Sequence, residues 1–351
     1  MHVALSATPL NRCLLALAFL IARPAVGQEL RLDSIAGCAE IDDESDRLAC
    51  YDRMVERGLP PLPNGDEEKE PAPLPHVGFR RPVSPLAERW ELDRAAKRGL
   101  FGFRSHRQSY FIPARYSNAP NHAPRSPVED LTPMPSYPLN STEAKFQISF
   151  KFKVAEDIGG SGTDFWFGYT QQSHWQVYNK KDSRPFRETN YEPEAMLVVP
   201  VNRNVLGLRL RFVNLGLDHQ SNGRAGALSR GWNRLYQQVG LERGGFALFV
   251  RAWQRVREPG SHDDNPDIGR FMGYGDIVAV YQLRNHSFAA LVRNNLRRSE
   301  NHGALELDWS FRLVSNLKGY VQFFSGYGES MIDYNHRQSA IGLGVLINDW
   351  I

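Results

Sequence analysis

From residue 145 the chain reads KFQISFKFKV. Phe146, Ile148, Phe150, Phe152 and Val154 share one parity, and Lys145, Gln147, Ser149, Lys151 and Lys153 share the other. Successive side chains of a strand point to opposite faces, so this segment has one apolar side and one polar side. Such a stretch, about ten residues long, matches a tilted strand crossing a bilayer. Similar segments recur at residues 108–117, 144–155, 162–178, 193–200, 205–221, 231–241, 246–256, 271–284, 286–295, 302–313, 318–327 and 339–350. Turn-rich runs such as EPGSHDDNPD and SGYGESMIDYNH separate them. An even number of segments predicts an all-β fold, a 12-stranded antiparallel transmembrane β-barrel over residues 108–351 with both ends on the periplasmic side. A secreted two-sheet sandwich is the competing architecture, because alternation alone does not distinguish lipid from a second sheet.

The N-terminal third has a different pattern. Arg12 precedes the apolar run CLLALAFLIA, and Ala25-Val26-Gly27 offers a small-residue cleavage site, so residues 1–27 read as a signal peptide for export. Export leaves Cys38 and Cys50, for which an intramolecular disulfide is the natural state. A straight helix would hold them about 18 Å apart, so the bridge needs a turn between them, and Asp42 to Ser45 can supply one that caps the next helix. Residues 28–58 are therefore expected to be a small disulfide-stapled helical extension. Residues 59–107 are expected to be a proline- and charge-rich linker and lead-in. Lys plus Arg number 42 against 39 Asp plus Glu, a balance that favours no particular partner.

One strand breaks its own rule. The apolar phase of residues 205–221 runs Leu206, Leu208, Leu210 and Phe212, then shifts near Phe212-Val213 to Leu215 and Leu217, as a β-bulge would cause. Continuing by twos, the phase lands on His219 and Ser221. If the first strand rises from the periplasm, these two lie outward near the outer-leaflet boundary. On the returning strand Asn233 shares its parity with Leu235 and Val239 and also faces outward. A serine hydroxyl is a weak nucleophile until a base takes its proton, and histidine is the base suited to neutral pH. A third polar group must hold the imidazole tautomer, and an asparagine carbonyl can do so without bringing charge to a membrane boundary. A lone H-x-S also arises by chance; the outward direction and the asparagine are what set this one apart.

The run His219-Gln220-Ser221-Asn222-Gly223-Arg224, followed by Ser229-Arg230-Gly231-Trp232-Asn233-Arg234-Leu235-Tyr236, resembles the active-site hairpin of the outer-membrane phospholipase A family. YTQQSHWQ (169–176), RPFRETNYEP (184–193), DDNPDIGRFMGY (263–274) and FSGYGESMIDYNH (324–336) resemble further segments of that family in the same order. The resemblance implies a twelve-stranded barrel that hydrolyses acyl esters of phospholipids and lysophospholipids. It makes Ser221 the nucleophile, His219 the base and then acid, and Asn233 the orienting group, with the Gly223 amide in the oxyanion hole. It implies Ca2+, a hard cation for oxygen ligands, held by the carbonyls of Arg224 and Ser229 and by the Ser183 hydroxyl of a second copy. Asp264 would be a further ligand. It also implies a homodimer packed through Ile148 and Phe150, with Gln171 bonded across the interface if it faces outward; facing the lumen it would need no such partner.

Two features depart from the family pattern. Gly226 stands where an acidic residue is expected, and the chain ends Asp349-Trp350-Ile351 rather than on an aromatic residue. A non-enzymatic barrel plugged by Lys145, Gln147, Lys151, Arg209 and Arg211 is one alternative function. A hydrolase that removes acyl chains from lipopolysaccharide is another.

Overall fold

The computed structural model describes residues 38, 41–44, 46–48, 50–51, 84–128, 138–260, 263–314 and 317–351. The chain divides into two units, Met1–Arg80 and Arg81–Ile351. The expected signal peptide (1–27) and most of the expected linker lie outside the described residues. In the first unit Cys38 and Cys50 form the anticipated disulfide, with Cα atoms 5.6 Å apart. The turn between them has a local cause: the Asp43 carboxylate accepts the Asp46 N–H at 3.1 Å, and its carbonyl accepts the Arg47 N–H at 2.9 Å. The first of these satisfies an amide donor that a helix start leaves open, and the second is the helix's first backbone bond.

The described residues of the second unit form thirteen strands: β1 (Arg104–Ser105), β2 (Ser109–Ser117), β3 (Thr142–Ala155), β4 (Asp164–Trp175), β5 (Phe186–Val205), β6 (Leu208–Ser221), β7 (Gly231–Arg243), β8 (Phe246–Val256), β9 (Gly275–Leu283), β10 (His286–Asn294), β11 (Gly303–Val314), β12 (Leu317–Tyr327) and β13 (Arg337–Asn348). All are antiparallel to their neighbours. The two-residue β1 only adds to β3; the other twelve form a ring that closes through the β13–β2 ladder. Closure leaves no free edge and excludes the sandwich. One rim carries tight turns, such as Leu206-Gly207 between β5 and β6. The other carries long connections, including 118–141, 222–230 and 257–274.

The polar parity faces in. Lys145 and Lys151 are fully buried in the lumen and Arg211 nearly so. Arg209, expected inside, is instead exposed near the tight-turn rim. The outward parity is apolar, with Ile148, Leu197, Leu215, Leu217, Leu235, Ile277, Phe288, Trp309 and Ile341 among its exposed residues. No described helix is long and apolar enough to cross a membrane.

Two elements differ from the expected pattern for physical reasons. Strand β5 begins at Phe186 and not near 193, because its first half buries Glu188, Asn190, Glu192 and Glu194 in the lumen, so no apolar face marks it in the sequence. The bulge in β6 lies between Leu210 and Phe212, and Phe212, expected on the outward phase, points inward. Its ring meets Trp90 at 4.9 Å between centroids. Trp90 ends a helix, Pro85–Trp90, whose N-cap Ser84 accepts the Ala87 N–H and whose first turn begins with proline. This helix, in the stretch expected as lead-in, sits in the barrel's tight-turn end. Leu86 N–H donates to Glu242 at 3.1 Å, Glu91 pairs with Lys153 at 2.9 Å, and Trp90 packs on Trp166.

Candidate active site

The β6–β7 ladder decides the site. His219 is registered directly opposite Asn233, and Ser221 opposite Gly231. Directly opposed residues have Cβ atoms about 5 Å apart, close enough for the two side chains to touch. His219 Nδ1 and Asn233 Oδ1 lie 2.9 Å apart, so the ring nitrogen donates and the carboxamide oxygen accepts. Among the described residues nothing else bonds the ring, and Nε2 remains available. His219 is exposed on the same face as Leu215 and Leu217, while Asp218 between them points into the lumen and pairs with Arg234 at 2.8 Å. Ser221 is half-buried two residues along the outward face. Among the described residues its hydroxyl forms no hydrogen bond to His219, so the His–Asn pair is made and the Ser–His contact is left open.

Beyond Ser221 the chain enters the loop 222–230. Asn222, fully inside, organises it: its N–H donates to the Arg230 carbonyl at 3.0 Å, its Oδ1 accepts the Arg230 N–H at 3.0 Å, and its Nδ2 donates to the Leu228 carbonyl at 2.8 Å. Gly223 follows with φ +63, a left-handed conformation that glycine adopts without cost, and a Cβ there would press on the Tyr191 ring at 3.2 Å. Its N–H donates to no protein acceptor among the described residues. Asn265 Oδ1 accepts the Gly231 N–H at 2.9 Å and ties the base of β7 to the neighbouring loop.

The expected metal ligands are partly gathered. Ser229 Oγ donates to Asp264 Oδ2 at 2.5 Å. The Ser229 carbonyl accepts from the Arg230 guanidinium at 2.6 Å. Arg224 directs its guanidinium to the carbonyls of Phe186 and Arg187. Ser183 lies in a different connection, between β4 and β5, exposed with φ +60, and bonds none of these residues within one chain. Gly226 has no side chain to offer, and Asp263 is engaged by Arg255 at 2.6 Å, so Asp264 is the carboxylate left to this loop. The donors present are hard oxygens, which suits Ca2+, but they bring a single negative charge. One tight acidic trio exists among the described residues, Glu192, Glu194 and Asp218, but it lies in the lumen and is occupied by arginines: Arg107 and Arg234 bond Glu192, and Arg107 bonds Glu194 at 2.6 Å. It is a charge cluster, not a cation site.

The expected interface residues occupy one outward face. Ile148 is registered opposite Gln171, and Phe150 opposite Tyr169. Gln171 faces outward, and its amide finds partners within the chain, accepting from Tyr169 OH at 3.1 Å and donating to Ser173 at 3.4 Å. Two residues at the site had not been anticipated: Tyr191, whose ring covers Gly223, and Glu258, which accepts the Asn233 Nδ2–H at 2.7 Å. Their signal was register, which places Tyr191 opposite Ser221 and Val256, two residues before Glu258, opposite Asn233.

A closed antiparallel barrel, apolar outside and charged within, with an imidazole–carboxamide pair and a serine on its outer surface near one rim, defines a barrel-borne ester hydrolase. The chain belongs to the phospholipase A1 family, whose model matches residues 86–347. It is 38% identical over 346 residues to a Neisseria meningitidis serogroup B protein with a provisional phospholipase A1 name, covering 89% of this chain and 90% of that one. It is 41% identical over 207 residues to phospholipase A1 of Escherichia coli K12, covering 59% and 70%. Among solved structures, outer membrane phospholipase A from Escherichia coli superposes with a TM-score of 0.64 at 34% identity, covering 73% of this chain and 95% of that chain. A Salmonella typhi outer membrane phospholipase dimer with bound calcium gives 0.63 at 35% identity, covering 71% and 93%.

Proposed function

We propose that the protein is a calcium-dependent phospholipase A of the bacterial outer membrane, hydrolysing sn-1 and sn-2 acyl esters of phospholipids and lysophospholipids. The hydrogen bond between His219 and Asn233 on the outward face carries this reading. With Nδ1–H given to the carboxamide, Nε2 is the free base. It takes the Ser221 proton as the hydroxyl oxygen attacks the ester carbonyl, then returns that proton to the departing lysolipid oxygen. Water, deprotonated by the same nitrogen, then releases the fatty acid. The Gly223 amide would receive the oxyanion, a reading supported by the loop that Asn222 holds in place.

Calcium would be held by the carbonyls of Arg224 and Ser229 with Asp264, and by Ser183 of a second copy. There it would stabilise developing negative charge. A ligand from a second copy would make activity follow dimerisation through the Ile148, Phe150 and Gln171 face, and the calcium-bound Salmonella typhi dimer supports that arrangement. Membrane placement follows from the apolar outer face. The long-loop rim, where the triad lies, would meet the outer leaflet, because such barrels keep their short turns on the periplasmic side. Residues 1–27 would direct export and residues 28–58 would form a periplasmic appendage.

Release of fatty acid from phospholipid micelles tests the reading. Ser221→Ala should cut turnover about 10⁴-fold or more, and chelation of calcium should abolish turnover in step with loss of the crosslinked dimer. Comparable rates for S221A and the parent would refute the triad. Faster release from lipopolysaccharide than from phospholipid would move the substrate class to the deacylase alternative.

A further inference from the structure

A carboxamide is nearly symmetric in shape but opposite in chemistry at its two ends. With its oxygen toward His219, Asn233 holds the proton on Nδ1 and leaves Nε2 as a base. Turned by half a rotation, it would present NH2 to Nδ1, move the ring proton to Nε2, and leave Ser221 facing a donor. Something must decide which way the amide points.

Glu258 decides it. Its carboxylate only accepts, and it lies 2.7 Å from Asn233 Nδ2, so the nitrogen is committed to Glu258 and the oxygen to the imidazole. The result is a chain from carboxylate to carboxamide to imidazole. Asn233 is registered opposite Val256, the last residue of β8, and Glu258 follows two residues later, just past the strand end. A charge directly against His219 would sit on the apolar face; Glu258 puts it in the connecting loop and transmits its effect through a neutral amide. The surrounding groups do not duplicate it. Tyr191 of β5 lies on the outward face beside Ser221, Arg257 is exposed next to Glu258, and Asp218 and Arg234 point into the lumen and pair with each other. No described basic side chain pairs with Glu258.

We propose that Glu258 is a positioning residue that fixes the Asn233 amide with its oxygen toward His219, extending the site to a Ser–His–Asn–Glu chain. This rests on the triad reading above, and the experiment separates the two. In the full-length protein with phospholipid micelles, pH profiles of kcat/KM are compared for the parent, E258A, E258Q, N233D and N233D/E258Q, with S221A as the reference for the triad. E258A frees the amide and should lower the plateau about tenfold. E258Q keeps an acceptor for Asn233, so its plateau should stay within about threefold of the parent. Rescue of the E258A loss by E258Q, which restores the acceptor for the amide, marks positioning rather than a general structural role. A carboxylate at position 233 would repel Glu258, so N233D/E258Q should exceed N233D about fivefold. An inactive S221A, with E258A matching the parent and N233D equal to N233D/E258Q, overturns this proposal and leaves the triad standing. An active S221A overturns the triad itself. If E258A fails to fold, judged by its unfolding midpoint, E258Q and the paired N233D variants still decide.

Discussion

The lumen and the outer rim of this barrel both contain ionisable residues, and they use them in opposite ways. Inside, many of the groups are tied to several others at once. Glu143 alone is bonded by Arg115, His174, Gln176 and Arg187, and Glu329 by Arg115 and Lys145. Burying a charge is tolerable only when it is compensated, and here most buried charges are paired, while Lys151 Nζ, with no hydrogen bond, lies 3.0 Å over the Trp90 ring. The lumen is a packed electrostatic core, and its main cavity measures about 140 Å³. Outside, polar groups are few and left with open positions: His219 has one partner and a free nitrogen, and Gly223 has an unused N–H. Charge density thus marks scaffolding in this molecule, and the proposed chemistry lies on the lipid side, where His219 keeps a nitrogen open.

That contrast can be broken at either end. Replacing His219 with Ala should lower fatty-acid release about 10⁴-fold or more while leaving the unfolding midpoint unchanged, since the ring's one bond is to Asn233. A large stability loss would mean that the rim is also scaffold. Replacing Glu143 with Ala takes one of two carboxylates from both Arg115 and Arg187 and the acceptor of His174, so it should cost about 3 kcal/mol in denaturant unfolding while turnover per folded molecule stays at the parent level. Unchanged stability, or lost turnover in a fully folded sample, would put chemistry in the lumen.

The smallest effect probes the seam between the regions, in the long-rim loop 328–336. Burial alone would raise the Asp333 carboxyl, but the Arg187 guanidinium at 2.8 Å and the Ser330 hydroxyl at 2.7 Å hold it below the ordinary carboxylate range. A lowered folded-state pKa gives stability that is complete above the unfolded value, about 4, and fades as pH falls through the folded one. D333N should therefore lose about 2 kcal/mol at neutral pH, and the gap to the parent should close as unfolding is measured at progressively lower pH below about 4. A gap that does not vary with pH would show that the pair contributes by shape and not by charge.

Much of the architecture was legible beforehand because lipid and lumen impose alternation on every strand. Segment 246–256 matches β8 at both ends, and most others differ from the observed strands by a few residues. Strand β5 was cut short because Glu188, Asn190, Glu192 and Glu194 give no apolar parity to read. Phe212 was placed on the wrong face because the bulge falls one step earlier than the apolar phase suggests. His219, Ser221 and Asn233 could be found from parity and from a long family motif. Glu258 and Tyr191 could not, since each joins the site through pairing with a different strand.

By itself the sequence determined for most strands which side chains face out, how many segments cross, and that a histidine, a serine and an asparagine share the outer surface, though not the facing of Phe212 or Arg209. It could do so because facing is a property of neighbours two apart. Only the tertiary structure decided that Asn233 lies opposite His219, that Glu258 reaches the far end of its amide, and that the acidic trio of the lumen is consumed by arginines. Those facts depend on the register of each ladder and on closure of the ring, which bring together residues whose distance along the chain says nothing of their distance in space.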